Sequence, residues 1–106
     1  MKGSTIMAIQ IGNYNFEGTF RDPTSLRDQS GVYAVLGGNG TNSWKVVDIG
    51  ESAQVRSRVI THDRTDCWNR NRGSGLAYAA YYCNERDRMR IEQELRAKYN
   101  PPCGDR

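Results

Sequence analysis

A chain of 106 residues has room for one domain, and 37% apolar residues with a mean hydropathy of −0.78 keep its core small. No stretch approaches the roughly 18 apolar residues of a membrane helix, which excludes a helical membrane protein. The net charge of +3 is uneven, −1 over residues 1–53 and +4 over residues 54–106, and twelve of the fifteen basic residues are Arg.

The start, "MKGSTIMAIQIG", lacks the apolar segment of a secretory signal, so the chain reads as cytoplasmic. Three cysteines, Cys67, Cys83 and Cys103, form an odd and widely spaced set without a CxxC pair, which argues against a disulfide scaffold. Arg presents a planar fork that suits phosphate. The basic second half therefore permits a nucleic-acid partner without requiring one, since charge alone is equally a solvated surface.

Taken in chain order, "MAIQIGNYNFEG" alternates around "GN" and predicts a short hairpin. "FRDPTSLRDQSG" is a turn with one helical turn in it. "GVYAVL" is a β-branched and aromatic strand, "GGNGTNS" a loop of turn residues, and "WKVVDIG" the second strand of a hairpin. "SAQVRSRVITHDR" reads as a helix with Ser52 as its N-cap, followed by a polar basic loop, "TDCWNRNRGSG". "LAYAAYYCN" is a third strand, and "ERDRMRIEQELRAKYN" a final helix stopped by Pro101 and Pro102. The expected fold is an α/β (α+β) sandwich: a small, mainly antiparallel three-stranded sheet flanked by helices in the order β-β-α-β-α, with a short N-terminal hairpin added. Residues 1–29 form that extension and residues 30–106 the functional domain.

Three features resist a reading based on burial alone. On a wheel of about 100° per residue, Met89, Leu95 and Tyr99 share one side of the last helix, with Ile91 at its edge. Glu92 falls near the middle of that side, while Glu94 points into water. An unpartnered buried carboxylate costs several kcal/mol. Glu92 therefore needs either an ion pair, with Arg88 or Arg96 one turn away, or a divalent metal ion in a cleft. Arg58 and His62 lie four apart on the first helix, beside Val55 and Val59, where they either pack or hold a phosphate and move a proton. In "VVDIGES", Asp48 interrupts an apolar strand, and Gly50 permits either a tight turn or the close approach of a ligand.

In this order the motifs resemble the GIY-YIG endonuclease superfamily. "SGVYAVL" is similar to its first motif, with Tyr33 in the tyrosine position, and "VVDIGES" to its second. Arg58 lies where the family keeps its catalytic arginine, His62 where a histidine often follows one turn later, and Glu92 like the metal-binding glutamate, nine residues before Pro101. The match spans about residues 30–104, and "THDRTDCW" further resembles small standalone bacterial members. Two positions depart from the pattern. Asp48 replaces the second motif's tyrosine, and the asparagine that usually follows the proline has no counterpart, Cys103 and Gly104 occupying that region.

The resemblance implies a metal-dependent endonuclease acting on DNA rather than RNA, with one Mg²⁺ or Mn²⁺ ion held by Glu92. Arg58 would stabilise charge on the phosphate. Tyr33, relayed by His62, would deprotonate or orient the water, which at an ordinary pKa of about 10 needs nearby positive charge. Asp48 would serve as a base or second metal ligand, or else repel the phosphate and disable the site. Arg56, Arg64, Arg70 and Arg72 would hold the nucleic-acid backbone, and Trp68 would either stack on a base or belong to the core. With so short a chain, specificity would need a partner protein or a homodimer, or be low. The rival readings are a catalytically impaired binding module, a zinc site built from His62, Cys67, Cys83 and Cys103, and a protein–protein adaptor.

Overall fold

The computed structural model describes residues 7–40 and 43–104. Five strands form one antiparallel sheet: β1 (Ala8–Ile11), β2 (Tyr14–Phe20), β3 (Gly31–Gly38), β4 (Trp44–Ser52) and β5 (Leu76–Tyr82), in the order β1-β2-β5-β3-β4. Three helices accompany it, α1 (Val55–Ile60), α2 (Thr65–Arg70) and α3 (Glu85–Tyr99), with a single 3-10 turn at Pro23–Ser25. Strand β3 pairs with β4 on one side and β5 on the other and is buried from Gly31 to Gly37. Its continuous apolar run is what a strand covered on both faces requires. The loop expected between β3 and β4 is shortened because β3 continues to Gly38; its residues 41–42 lie outside the described residues.

The expected three-stranded sheet is corrected to five. The N-terminal hairpin is not an appendage: β2 pairs with β5, Glu17 opposite Ala80 and Phe20 opposite Tyr78. Gly12, at φ +60, makes the turn between β1 and β2. The expected single helix over residues 52–64 is also corrected. Ser52 ends β4, and its hydroxyl accepts from the Gln54 amide at 2.9 Å, so it caps a local turn and not the helix. Helix α1 stops at Ile60, where the Thr61 hydroxyl bonds back to the Ser57 carbonyl at 2.8 Å. A second helix, α2, occupies what the sequence suggested was loop, because Trp68 packs against the sheet at 2% exposure.

The sheet separates two cores. On one face, Val32, Ala34, Leu36, Ile49 and Ala79 meet Ile91 and Leu95 of α3 and Ile11 and Phe16 of the hairpin. On the other, Tyr33, Val35, Val47 and Ala80 meet Val55 and Val59 of α1, Trp68 of α2, Leu26 and Cys103. Helix α3 begins at an Asn84 cap, whose side chain accepts from the Asp87 amide at 2.9 Å, and ends at Asn100 in the left-handed region before Pro101. Its buried stripe centres on Ile91 and Leu95, whereas Met89 is 47% exposed. The wheel misjudged Met89 because α3 docks on the hairpin as well as on the sheet. The Gly12 amide donates to the Tyr99 hydroxyl at 2.8 Å, and the Tyr14 hydroxyl donates to the exposed Glu94 at 2.7 Å.

Cys67 and Cys103 form a disulfide, with Cα atoms 5.8 Å apart, tying α2 to the segment after α3. The odd, widely spaced set argued against a disulfide scaffold; the fold nonetheless holds one disulfide, with Cys83 as the free thiol. Sequence spacing gave no hint that residues 36 apart would meet. Among the described residues, no helix is long and apolar enough to cross a membrane.

Candidate active site

The second face of the sheet carries the polar chemistry, and a β-bulge aims it. Val35 pairs with Asp48 and Leu36 with Val46, so Val47 is the extra residue in β4. Two successive side chains, Val47 and Asp48, therefore turn to the same face. Without the bulge, strand alternation would send one of them to the α3 side.

Asp48 is fully buried, and both of its oxygens are engaged. Oδ2 accepts from Trp68 Nε1 at 2.7 Å and Arg64 Nε at 2.9 Å, and Oδ1 accepts from Arg96 Nη1 at 2.9 Å. Arg96, 3% exposed, also donates to the carbonyls of Ile49 and Cys103. One carboxylate thus gathers β4, α2, α3 and the segment between α1 and α2. Charge-assisted bonds of this kind are the strong ones, and with Arg64 Nη2 3.5 Å from Oδ1 as a fourth donor they occupy the lone pairs a metal would need.

Tyr33, on β3, lies opposite Gly50 on β4, and a Cβ at Gly50 would clash with the phenol ring and its Oη. Tyr33 is 2% exposed, and its Oη lies 2.7 Å from His62 Nε2. The Arg64 amide donates to His62 Nδ1 at 3.0 Å. A ring nitrogen that accepts carries no proton, so neutral His62 bears its hydrogen on Nε2 and donates it to the Tyr33 oxygen. Burial, reinforced by Arg64 and Arg58, pushes the His62 pKa down to about 4. The ring is therefore neutral at pH 7, and its 3.3 Å approach to Asp63 is not an ion pair there. Burial, then the Asp48 charge, pushes Tyr33 up to about 12; Arg64 and Arg58 oppose the shift and Glu92 adds to it.

That balance locates the expected residues. Tyr33 and His62 touch, and the charges of Asp48, Arg64, Arg58 and Glu92 all act on the Tyr33 hydroxyl. Arg58 is half-exposed, 3.9 Å from the Asp63 carboxylate. With Ser52, Gln54, Ser57 and Thr61 it lines a shallow recess of about 220 Å³. His62 lies past the end of α1 and not on it. Glu92 is half-buried on α3, one turn before Arg96. Arg64 binds Asp48, while Arg70 and Arg72 are exposed at the end of α2. Arg56 projects from α1 within electrostatic reach of Asp28 and Tyr82.

No family model matches the chain, no curated protein matches it, and no solved structure matches it. The chemistry therefore rests on this geometry alone.

Among the described residues, no group of three or more His, Cys, Asp and Glu side chains is placed to hold a metal. The disulfide takes two of the three cysteines a zinc site would use. What the residues fit is a hard cation held through one carboxylate, the binding mode of Mg²⁺, which keeps waters and phosphate oxygens as its other ligands. Asp48, with both oxygens occupied, does not fit that role; the sequence motif assigns it to Glu92, which is half-buried on α3. Sequence reasoning missed two contributors. Arg96 and Trp68 hold Asp48, and the only signal was that a buried Asp in an apolar strand needs donors from somewhere.

Proposed function

We propose that the chain is a metal-dependent endonuclease of GIY-YIG-like type that hydrolyses phosphodiester bonds in nucleic acid, DNA in preference to RNA. The observation that carries this reading is the Tyr33–His62 hydrogen bond, 2.7 Å, set where the charges of Arg58, Arg64, Asp48 and Glu92 converge on one phenol. An apolar core has no use for such a set, and a phosphate with an attacking water has a use for each member.

Arg58, the half-exposed cation beside the recess, holds the nonbridging oxygens and takes up the charge that grows on them. Glu92 would hold the divalent ion, which supplies Lewis-acid help to the leaving oxygen. His62 donates to Tyr33, so the Tyr33 proton is not committed to that bond. With its pKa near 12, Tyr33 is a phenol at neutral pH that orients a water or a phosphate oxygen and does not abstract a proton unaided. Asp48, in the place of the motif's second tyrosine, acts through others: it fixes Arg64, whose amide fixes the His62 tautomer.

A second reading, a binding module without hydrolysis, is favoured by the 2% exposure of Tyr33 and the enclosure of Asp48. One experiment separates the two. Supercoiled plasmid, single-stranded DNA and RNA are incubated with the protein under Mg²⁺ and Mn²⁺. Nicking that requires metal and falls about 100-fold or more in both Glu92→Ala and Arg58→Ala supports the nuclease. Cleavage that survives both changes overturns it. Salt-sensitive binding with no cleavage under either metal establishes the module.

A further inference from the structure

The two layers of the polar face run past each other in register. From the C-terminal end of β4 backwards, Ser52 lines the Arg58 recess, Asp48 binds Arg64, and Lys45 lines a second recess with Arg70. The helical layer thus presents an arginine every six residues, at 58, 64 and 70, against β4 running the other way.

The second recess is the larger, about 310 Å³, and Asn39 and Asn71 also line it. Its floor is the contact of Gly38 with Gly73, which have no room for a side chain: a Cβ on Gly73, at φ +57, would strike the Gly38 carbonyl. The cations on its walls are exposed, and among the described residues neither Lys45 nor Arg70 takes part in an ion pair. Among the described residues, no acidic or aromatic residue lines the second recess; at the Arg58 recess, Asp63 lies 3.9 Å from Arg58 and Asp28 accepts from Ser57. Two cations with amide donors and no acid suit a phosphate. The lack of aromatic platforms, with Trp68 2% exposed, disfavours a single strand held by stacked bases.

We propose that the Lys45–Arg70 recess is a second phosphate anchor, and that with the Arg58 recess it forms a track for one backbone of a DNA duplex laid along β4. The inference rests on the nuclease reading and adds where the substrate runs. From Lys45 to Ser52 is about 20 Å at roughly 3.3 Å per residue, less the bulge. A B-form backbone winds about its axis while rising about 3.4 Å per step, so phosphates about three to four apart on one strand are separated by that distance.

The test measures binding, in EDTA so that nothing is cut, by fluorescence anisotropy of a labelled duplex of about 14 base pairs, long enough to cover both recesses. The Lys45→Ala/Arg70→Ala double variant is expected to bind about tenfold more weakly and to lower the slope of log affinity against log salt by about two. Arg86→Ala, an exposed charge on α3 across the sheet, is expected to match wild type, and the single-stranded oligonucleotide to bind more weakly than the duplex. Circular dichroism checks that the folds are equal. Wild-type affinity in the double variant, an equal loss in Arg86→Ala, or tighter binding of the single strand overturns the track while leaving the nuclease reading intact. Failure of the wild-type protein to bind any nucleic acid overturns both.

Discussion

The two faces of the sheet solve the same burial problem in opposite ways. The buried core of the face under α3 is apolar, Ile11, Phe16, Ile91 and Leu95 closing over Val32, Ala34, Leu36 and Ile49, with the Arg88–Glu51 ion pair, 2.7 Å, at its margin. The face under α1 and α2 encloses a carboxylate, two guanidinium groups, an imidazole and a phenol among Val35, Val47, Val55 and Val59. Apolar burial contributes roughly 25 cal/mol per Å² without regard to direction, whereas a buried charge is tolerable only with its donors in place. The first face can therefore accept small errors of packing. The second depends on a specific geometry, which is the property a reactive site needs and a core does not.

The largest expected effect is the loss of the group that organises the polar face. Asp48→Ala leaves Arg96, 3% exposed, without its carboxylate and Trp68 Nε1 without its acceptor. The expected cost is about 3–5 kcal/mol in urea unfolding, the range for removing one partner of a buried pair. Asp48→Tyr, which supplies the tyrosine of the motif that the proposed function invokes, is expected to lose stability for the same reason and, under that proposal, to gain no cleavage rate. A small cost for Asp48→Ala would mean that the network is not what holds this face together.

Leu95→Ala, on the apolar face, is expected to cost about 3 kcal/mol, by lost transfer energy plus the cavity left. The difference should lie in what is disturbed. The Tyr33–His62 bond lies across the sheet from Leu95, so the imidazole nitrogen shifts of His62 should be unchanged in Leu95→Ala and altered in Asp48→Ala. Equal disturbance in both variants would show the two faces to be one cooperative unit.

The two faces were also unequally legible. The strands β3, β4 and β5 and the limits of α3 follow from apolar runs, the Asn84 cap and the double proline, which are local signals. The joining of β2 to β5 is a pairing between residues some sixty apart, and nothing local specifies it. On the polar face, the order of Tyr33, Arg58, His62 and Glu92 was visible, but what aims Asp48 was not. A bulge at Val47 leaves no mark in a run of β-branched residues, and the arginine that reaches Asp48 comes from forty-eight positions away. The disulfide escaped notice for a similar reason, since the chain must fold before Cys67 and Cys103 become neighbours. Helix α2 was hidden by its polar composition and is held in place by Trp68 and by the Cys67–Cys103 disulfide.

The smallest effect expected is a pH dependence that only the polar face can produce. His62 has an ordinary pKa of 6.5 and is pushed to about 4 in the fold, first by burial and then by Arg64 and Arg58. Between those values the unfolded chain binds a proton that the folded one refuses, so stability must fall as the pH is lowered from about 6.5 to about 4 and level off below. By linkage the full loss is no more than about 3 kcal/mol, and partial hydration of the ring would reduce it. In a His62→Gln variant, an amide that can still donate towards the Tyr33 oxygen and does not titrate, the His62 part of that slope should vanish. A slope that persists unchanged would assign it to the carboxylates, of which Asp28, held low by two hydrogen bonds from Ser57, is one. A slope of opposite sign would mean that His62 is charged in the fold. Its Nδ1 would then donate to Asp63, the Arg64 amide would lose its acceptor, and Tyr33 would face an imidazolium, a different site from the one built on a neutral ring.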